Sequence, residues 1–192
     1  MHIADGIIDT KICIAAHAVA MVAVYLSGRK AEADEIPKMG VTGAALFSVS
    51  LVHLPFAGTA VHPGLYGLAG IILGKRSFSV VYIVLLFQAL LFQHGGLITL
   101  GVNALNMGLG AVSGWLLWRI GIIPLYVRAF LAGLAGIVIP ALLMAAEFEM
   151  SGYGKGIRYI LSASLLLALL EGSISMLIVK FFRKTKSDII RT

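Results

Sequence analysis

Residues 124–146 read PLYVRAFLAGLAGIVIPALLMAA, an apolar stretch that carries one charged side chain, Arg128. A helix needs about 20 apolar residues to cross a lipid bilayer, and this stretch supplies them. Outward from it, further apolar runs lie between short breaks that carry charge, glycine or proline: 11–27, 41–54, 64–74, 78–93, 97–118 and 158–182. The pattern predicts an all-α membrane protein, a bundle of about seven transmembrane helices in one integral membrane domain that fills the chain.

The composition supports a lipid environment. Hydrophobic residues make up 59% of the 192 residues and charged residues only 12%, against roughly 25% charged residues in a typical soluble domain. The runs are too long and alternate too little to be barrel strands, which leaves helices as the spanning structure. The third run is short and rich in glycine, so we expect it to pack between neighbouring helices rather than face lipid.

The basic residues indicate the orientation. The net charge is +6, but the charges lie between the apolar runs and in the tail, which indicates membrane topology and no nucleic-acid partner. If the N-terminus is outside, the inner ends of the runs collect most of the basic residues: Arg29, Lys30, Lys38, Lys75, Arg76, Arg119, Arg128, Lys180, Arg183, Lys184, Lys186 and Arg191. The outer ends keep Lys11, Lys155 and Arg158. Because cytoplasmic connections are enriched in lysine and arginine, we expect a multi-pass protein of the cell membrane with an outer N-terminus and a cytoplasmic tail, 183–192.

This orientation brings three histidine-bearing segments to the outer face: Met1-His2, the loop with His62, and the connection with His94. Residues 1–10 contain no lysine or arginine, whereas a secretory signal peptide begins with a basic segment. We therefore expect Met1 to begin the working protein and the segment 1–10 to pack on the outer face.

Met1-His2 can chelate a metal ion. The α-amine, the amide nitrogen of His2 and its Nδ1 close a five-membered and a six-membered ring around one ion. Planar nitrogen coordination suits Ni(II) or Cu(II) and is accepted by Co(II), whereas Zn(II) prefers a tetrahedron. His62 is the candidate for the fourth nitrogen. The alternative is a histidine at position 2 that has no role.

His62 precedes Pro63, and proline is favoured in the first turn of a helix. This spacing predicts that His62 lies near the N-cap of the third helix, where the helix dipole would keep its imidazole neutral. A loop histidine that faces water is the alternative.

Other polar residues are candidates for support of the metal site. His53 could orient a ligand, although the favoured interpretation is a buried histidine whose hydrogen bonds are formed within the bundle. His94 begins a tight turn through two glycines. Thr99 and Asn103 follow on one face of the fifth helix; they either support the site or hydrogen-bond between helices as polar groups in membranes commonly do. Glu171 is an isolated acid in the last helix and must be neutral, paired or hydrogen-bonded.

Several of these segments resemble the CbiM/NikM family, the substrate-binding membrane subunits of energy-coupling-factor (ECF) importers of cobalt and nickel. The resemblance rests on MHIADG at residues 1–6, the His62 loop, LLFQA at 85–89 and GGLITLGVN at 95–103. It is strongest over residues 1–120 and continues as a hydropathy pattern. Two departures concern the hydrogen bonds near the site: Ala60-Val61 stand where many members carry serines, and Ile98 stands where threonine is usual.

The resemblance implies a seven-helix subunit that holds Co(II) or Ni(II) through Met1, His2 and His62. It implies as partners a transmembrane coupling protein, two cytoplasmic ATPases and often a small accessory membrane protein. It also implies that small residues of the first helix, Ala16 and Ala20, pack against the coupling protein. The residues alone leave open whether this pair seats a helix of the chain itself.

The sequence contains no nucleotide-binding loop, so the chain is expected to be a transport subunit and not an enzyme, with ATP hydrolysed by its partners. The alternative is a stand-alone metal permease or channel, which would need a polar path through the bundle. An intramembrane hydrolase that uses Ser113 is disfavoured, because Ser113 lies toward the inner end of its helix, far from the outer histidines.

Overall fold

The computed structural model describes residues 2–52, 54–56, 59–153, 157–185 and 189–190. Two predicted site residues, Met1 and His53, lie outside the described residues. In the described part the chain forms helices joined by short connections: α1 Thr10–Gly28, α2 Glu35–Ser50, α3 Tyr66–Leu73, α4 Ser77–Phe92, α5 Leu100–Trp118, α6 Leu125–Met150 and α7 Ile157–Lys184. A single 3₁₀ turn, Gly74–Arg76, joins α3 to α4.

The all-α prediction is confirmed except for one short hairpin. Strands β1 (Leu54–Phe56) and β2 (Thr59–Val61) pair antiparallel, with Leu54 opposite Val61. The predicted helix over 41–54 is wrong at its end, because α2 stops at Ser50. Pro55 cannot continue a helix and biases Leu54 toward the extended backbone, so the chain turns into the hairpin.

Five helical stretches of the described chain are long and apolar enough to cross a membrane. They are Thr10–Gly28, Tyr66–Phe92, Leu100–Trp118, Leu125–Met150 and Ile160–Lys184. This finding supports a protein that crosses the membrane several times. The remaining helix, α2, has 16 residues, and α3 and α4 form one stretch that breaks at Gly74, where φ is 57°. Seven separate crossings and the outer N-terminus stay predictions.

Helix α3 forms the centre of the bundle. Nearly all of its residues are buried, and it packs against α5 and α6. The helices approach closely because Gly67 has no side chain; a Cβ there would overlap the backbone carbonyl of Ala132. The short, glycine-rich run therefore packs between neighbours, as the sequence predicted.

Arg76 ties the connections together at one end of the bundle. Its guanidinium lies 2.8 Å from the Glu35 carboxylate and donates hydrogen bonds to the backbone carbonyls of Ser27, Arg29 and Lys30 at 2.6–2.9 Å. Six of the basic residues predicted to face the cytoplasm line one cavity at this end: Lys30, Lys38, Lys75, Arg76, Arg119 and Arg128. Since α4 starts here and finishes two residues before His94, the histidines lie at the opposite end.

Candidate metal centre

The structure brings His2, His62 and His94 together from three separate segments. Their ring centroids are 4.7–4.9 Å apart, and one nitrogen of each ring lies within 4.8 Å of the others. His62 is buried, with 4% of its surface exposed, whereas His2 and His94 are half-buried. The predicted convergence of the three histidines is therefore present in the fold.

The two rings predicted as ligands face each other through their nitrogens. Nδ1 of His2 and Nε2 of His62 lie 3.2 Å apart, and the ring planes differ by only 15°. Neighbouring nitrogens at a right angle around a metal, each about 2.0 Å from it, stand about 2.8 Å apart. A small movement would thus bring both nitrogens onto one ion.

His94 approaches the pair at a steep angle. Its ring is inclined by 60° to that of His2 and by 75° to that of His62. It follows α4, which ends at Phe92 with Gln93 in a left-handed cap at φ 53°. The turn that reverses the chain after α4 therefore carries His94 over the edges of the other two rings.

Asn103 fixes the N-terminal segment against α5. Its Oδ1 accepts a hydrogen bond from the backbone N–H of Ile3 at 2.8 Å, and its Nδ2 donates to the carbonyl of Ile3 at 2.9 Å. The Thr99 hydroxyl lies 2.8 Å from the same carbonyl. Ile3 is fully buried in a small apolar cluster with Ile8, among others. His2 is therefore held by the residue that follows it.

Asp5 makes a second attachment, at the glycine turn before α5. Its carboxylate accepts the backbone N–H of Thr99 at 2.9 Å. Burial would raise the pKa of Asp5, but hydrogen bonds from the N–H groups of Thr99, Ile98 and Leu97 outweigh it and lower the pKa. Gly96 leaves room for the carboxylate, because a Cβ there would overlap it and displace the Asp5 side chain. The acid and the glycine turn thus form one unit that closes the segment over the site.

The His62 loop is held by an acid from α7. Both oxygens of the Glu171 carboxylate accept backbone hydrogen bonds, from Gly64 at 2.6 Å and from Leu65 at 2.9 Å. Glu171 has no exposed surface. The sequence required a partner for this acid but gave no indication that the partner is the loop that carries His62.

The predicted place of His62 near the N-cap of α3 is wrong. The helix begins at Tyr66, and its cap residue is Leu65, in a left-handed conformation with φ 51°. Glu171 takes the N–H groups of Gly64 and Leu65, and the left-handed residue interrupts the helical backbone, so residues 62–65 stay a loop. The helix-dipole argument for a neutral His62 therefore does not apply.

The environment keeps His2 neutral. Burial of its ring, the positive charge of the adjacent N-terminal amino group and the neighbouring rings of His62 and His94 lower the pKa of His2 well below its usual value. A neutral imidazole has a lone pair for a metal ion, so His2 can coordinate at neutral pH without losing a proton from its ring.

The small residues of α1 face the interior of the chain. Ala20 is fully buried in the main hydrophobic cluster, and the half-buried Ala16 packs against the small one. Ala20 therefore has no exposed surface to offer a coupling protein, and the predicted contact stays a prediction for Ala16 alone. His17, between them, is placed away from the three histidines, with Nε2 at 3.4 Å from the hydroxyl of Tyr82.

Comparisons with known proteins agree on one family. The family model described as cobalt uptake substrate-specific transmembrane region, CbiM, matches residues 2–189. A cobalt transport protein CbiM of Sorangium cellulosum (strain So ce56) is 32% identical, over 99% of this chain and 94% of that protein. A putative fused cobalt transport protein CbiMQ of Methanocorpusculum labreanum (strain ATCC 43576 / DSM 4855 / Z) is 26% identical; the alignment covers 98% of this chain and 36% of the fusion.

The fold is also that of a solved structure. A protein described as a transition metal transporter superposes with a TM-score of 0.87 and 22% identity, over 98% of this chain and 96% of that one. At this level of identity the likeness shows the shared fold.

Proposed function

The chain belongs to the CbiM family of cobalt-uptake transmembrane proteins, and on that premise we propose that it captures Co(II) or Ni(II) with its own first two residues. The metal is held by the α-amine of Met1, by the amide nitrogen and Nδ1 of His2, and by Nε2 of His62. Together these four nitrogens form a plane suited to both ions.

The observation that carries this proposal is the 3.2 Å approach of His2 Nδ1 to His62 Nε2. The two nitrogens belong to different segments, and each segment has its own attachment. Asn103 binds the backbone of Ile3, and Glu171 binds the backbone that follows His62. Because both segments are already fixed by hydrogen bonds, little conformational entropy is lost when the ligands bind the ion, and this favours the planar chelate.

The other polar residues support the ligands. His94 covers the edges of both rings and shields the ion from water. Thr99 and Asn103 hold the N-terminal segment, and a supporting role for His53 is proposed from the sequence alone. None of these residues supplies one of the four nitrogens.

Transport requires partners in this proposal. A coupling protein in the membrane and two cytoplasmic ATPases drive release of the ion inward, with a small accessory membrane protein in some systems. The fused CbiMQ relative supports the first of these, because a chain like this one is joined there to a further segment of a cobalt transport protein. The half-buried Ala16 of α1 is the proposed contact with the coupling protein.

The direct test is to insert one alanine between Met1 and His2 and to measure Ni(II) and Co(II) binding by titration calorimetry. The insertion enlarges the chelate rings and displaces His2 relative to His62, so tight binding should be lost. The matched control inserts one alanine between Gly121 and Ile122, in the exposed connection before α6 at the opposite end of the bundle, and should bind as the parent does. Tight binding by the first variant would reject the amine–amide chelate.

A further inference from the structure

Gln88 lies on α4, is 1% exposed, and accepts the backbone N–H of His94 on its own carbonyl oxygen at 3.1 Å. Its side-chain Nε2 donates a hydrogen bond to Oγ of Ser50 at 2.5 Å. Oγ of Ser50 in turn donates to the backbone carbonyl of Phe47 at 2.6 Å. Three groups from α2 and α4 therefore form a short buried chain of hydrogen bonds.

The direction of this chain follows from the number of protons. A serine hydroxyl has one proton, and Ser50 gives it to the Phe47 carbonyl, which can only accept. Ser50 can then only accept from its other neighbour, so the NH₂ group of Gln88 must face it. Consequently the orientation of the Gln88 amide is fixed by a backbone carbonyl, and Oε1 is left to face away from Ser50.

Gln88 Oε1 can accept a hydrogen bond, and His2 Nε2 can donate one when it carries the ring proton. Both atoms are buried, and within the described part of the chain neither forms a hydrogen bond of good geometry. Gln88 nevertheless lies next to His2, because its backbone carbonyl accepts the N–H of His94 at 3.1 Å and the His94 ring centroid is 4.9 Å from that of His2. The Gln88 side chain is also a hydrogen-bonding neighbour of the His2 ring. An oxygen that can only accept favours a proton on Nε2 of the neutral ring, since neutral imidazole carries its proton on one nitrogen only.

We propose that Gln88 is a positioning residue that keeps the proton of His2 on Nε2 and thereby reserves the Nδ1 lone pair for the metal. The inference rests on the proposed function, because Nδ1 is the atom assigned to the ion there. The inference goes beyond the proposed function because it names the group that selects the tautomer of His2. His2 Nδ1 is also the nitrogen that faces His62 Nε2 at 3.2 Å, so the selected tautomer points its lone pair into the site. Outer groups that fix a ligating histidine in this way commonly affect metal affinity by about 10–100-fold.

The test measures the tautomer directly, in the full-length metal-free protein with ¹⁵N-labelled histidine. The His2 signals are identified by their loss in His2→Ala. In the parent we expect the proton on Nε2; a proton on Nδ1 would overturn the inference without any variant. In Gln88→Leu we expect the Nδ1–H tautomer of His2 to gain population. We expect the same in Ser50→Ala, because loss of the serine hydroxyl allows the side-chain amide of Gln88 to rotate. An unchanged tautomer in Gln88→Leu would also overturn the inference.

Ni(II) affinity supplies the second readout. Gln88→Leu should weaken binding about 10–100-fold, while Ser113→Ala, which removes a hydroxyl that donates to the Gly110 carbonyl in its own helix, should leave it unaltered. In the His2→Ala background, Gln88→Leu should have no further effect; an equal loss with and without the His2 ring would assign Gln88 a purely structural role. The alanine insertion tests the proposed function independently, because it can abolish the chelate while the tautomer of His2 still responds to Gln88.

Discussion

Nδ1 of His2 and Nε2 of His62 lie 3.2 Å apart although the residues are separated by 60 positions in the chain. Two attachments produce this approach: Asn103 pairs with both backbone groups of Ile3, and Glu171 binds the two N–H groups that follow Pro63. Each attachment comes from a helix of the bundle, α5 or α7. The geometry of the site is thus set by the packing of the helices and not by the loops alone.

The first prediction separates the roles of His62 and His94. His62→Ala removes a proposed ligand and should weaken Ni(II) binding by more than about 100-fold. His94→Ala removes only a ring that shields the ion from water, and should weaken Ni(II) binding by less than about tenfold. Titration calorimetry of the purified variants measures both. Equal losses would indicate a site built from three histidines, which would contradict the planar chelate.

The second prediction concerns the hold on the N-terminal segment. Asn103→Leu removes both hydrogen bonds to Ile3, so the segment should become mobile and metal affinity should fall about 10–100-fold while His2 is still present. Ser113→Ala on the same helix is the control, because that hydroxyl donates to the carbonyl of Gly110 in its own helix. If Asn103→Leu bound Ni(II) like the control, the segment would not depend on α5.

The third prediction tests the link from α7 to the His62 loop. Glu171→Gln replaces one accepting oxygen with a donor that faces a backbone N–H, which should cost about 1–3 kcal/mol of stability. It should also weaken Ni(II) binding, and this loss should disappear in the His62→Ala background. Glu147→Gln is the matched control, since Glu147 accepts from Asn106, away from the loop. A loss that persists without His62 would mean that Glu171 supports the bundle in general.

The fourth prediction distinguishes a transport subunit from a stand-alone permease. Cells that express the chain alone should accumulate no cobalt above background, because in the proposed function ATP hydrolysis by the partners drives release inward. Co-expression with a coupling protein and two ATPases should restore uptake, and inactive ATPases should not. Uptake by the chain alone, insensitive to ATP depletion, would favour the permease.

The sequence predicted the helical bundle and the meeting of the three histidines. Both follow from simple regularities: apolar runs require helices in lipid, and the basic residues sort the connections between two sides. Those rules place His2, His62 and His94 on one side before any contact is known. The short third run was also predicted to be enclosed, because glycines permit close helix packing.

The remaining features depend on contacts between distant residues. Nothing near Glu171 in the sequence indicates that it binds the backbone at Gly64, 107 positions away. The same holds for the hydrogen bond from Gln88 to Ser50, 38 positions away. The N-cap prediction for His62 failed for this reason: proline favours a helix start locally, but the distant carboxylate stabilises a loop there.

The most direct measurement of the central claim is the number of protons released when Ni(II) binds at pH 7, from calorimetry in buffers with different ionisation enthalpies. A free α-amine has a pKa of about 7.7–8.0 and is mostly protonated at this pH, the amide nitrogen must lose its proton, and the lowered pKa of His2 leaves its ring already neutral. The amine–amide chelate therefore predicts release of about two protons per ion, and weaker binding as the pH falls. Release of less than about half a proton, as three neutral imidazoles would give, would contradict the chelation of the metal by the first two residues.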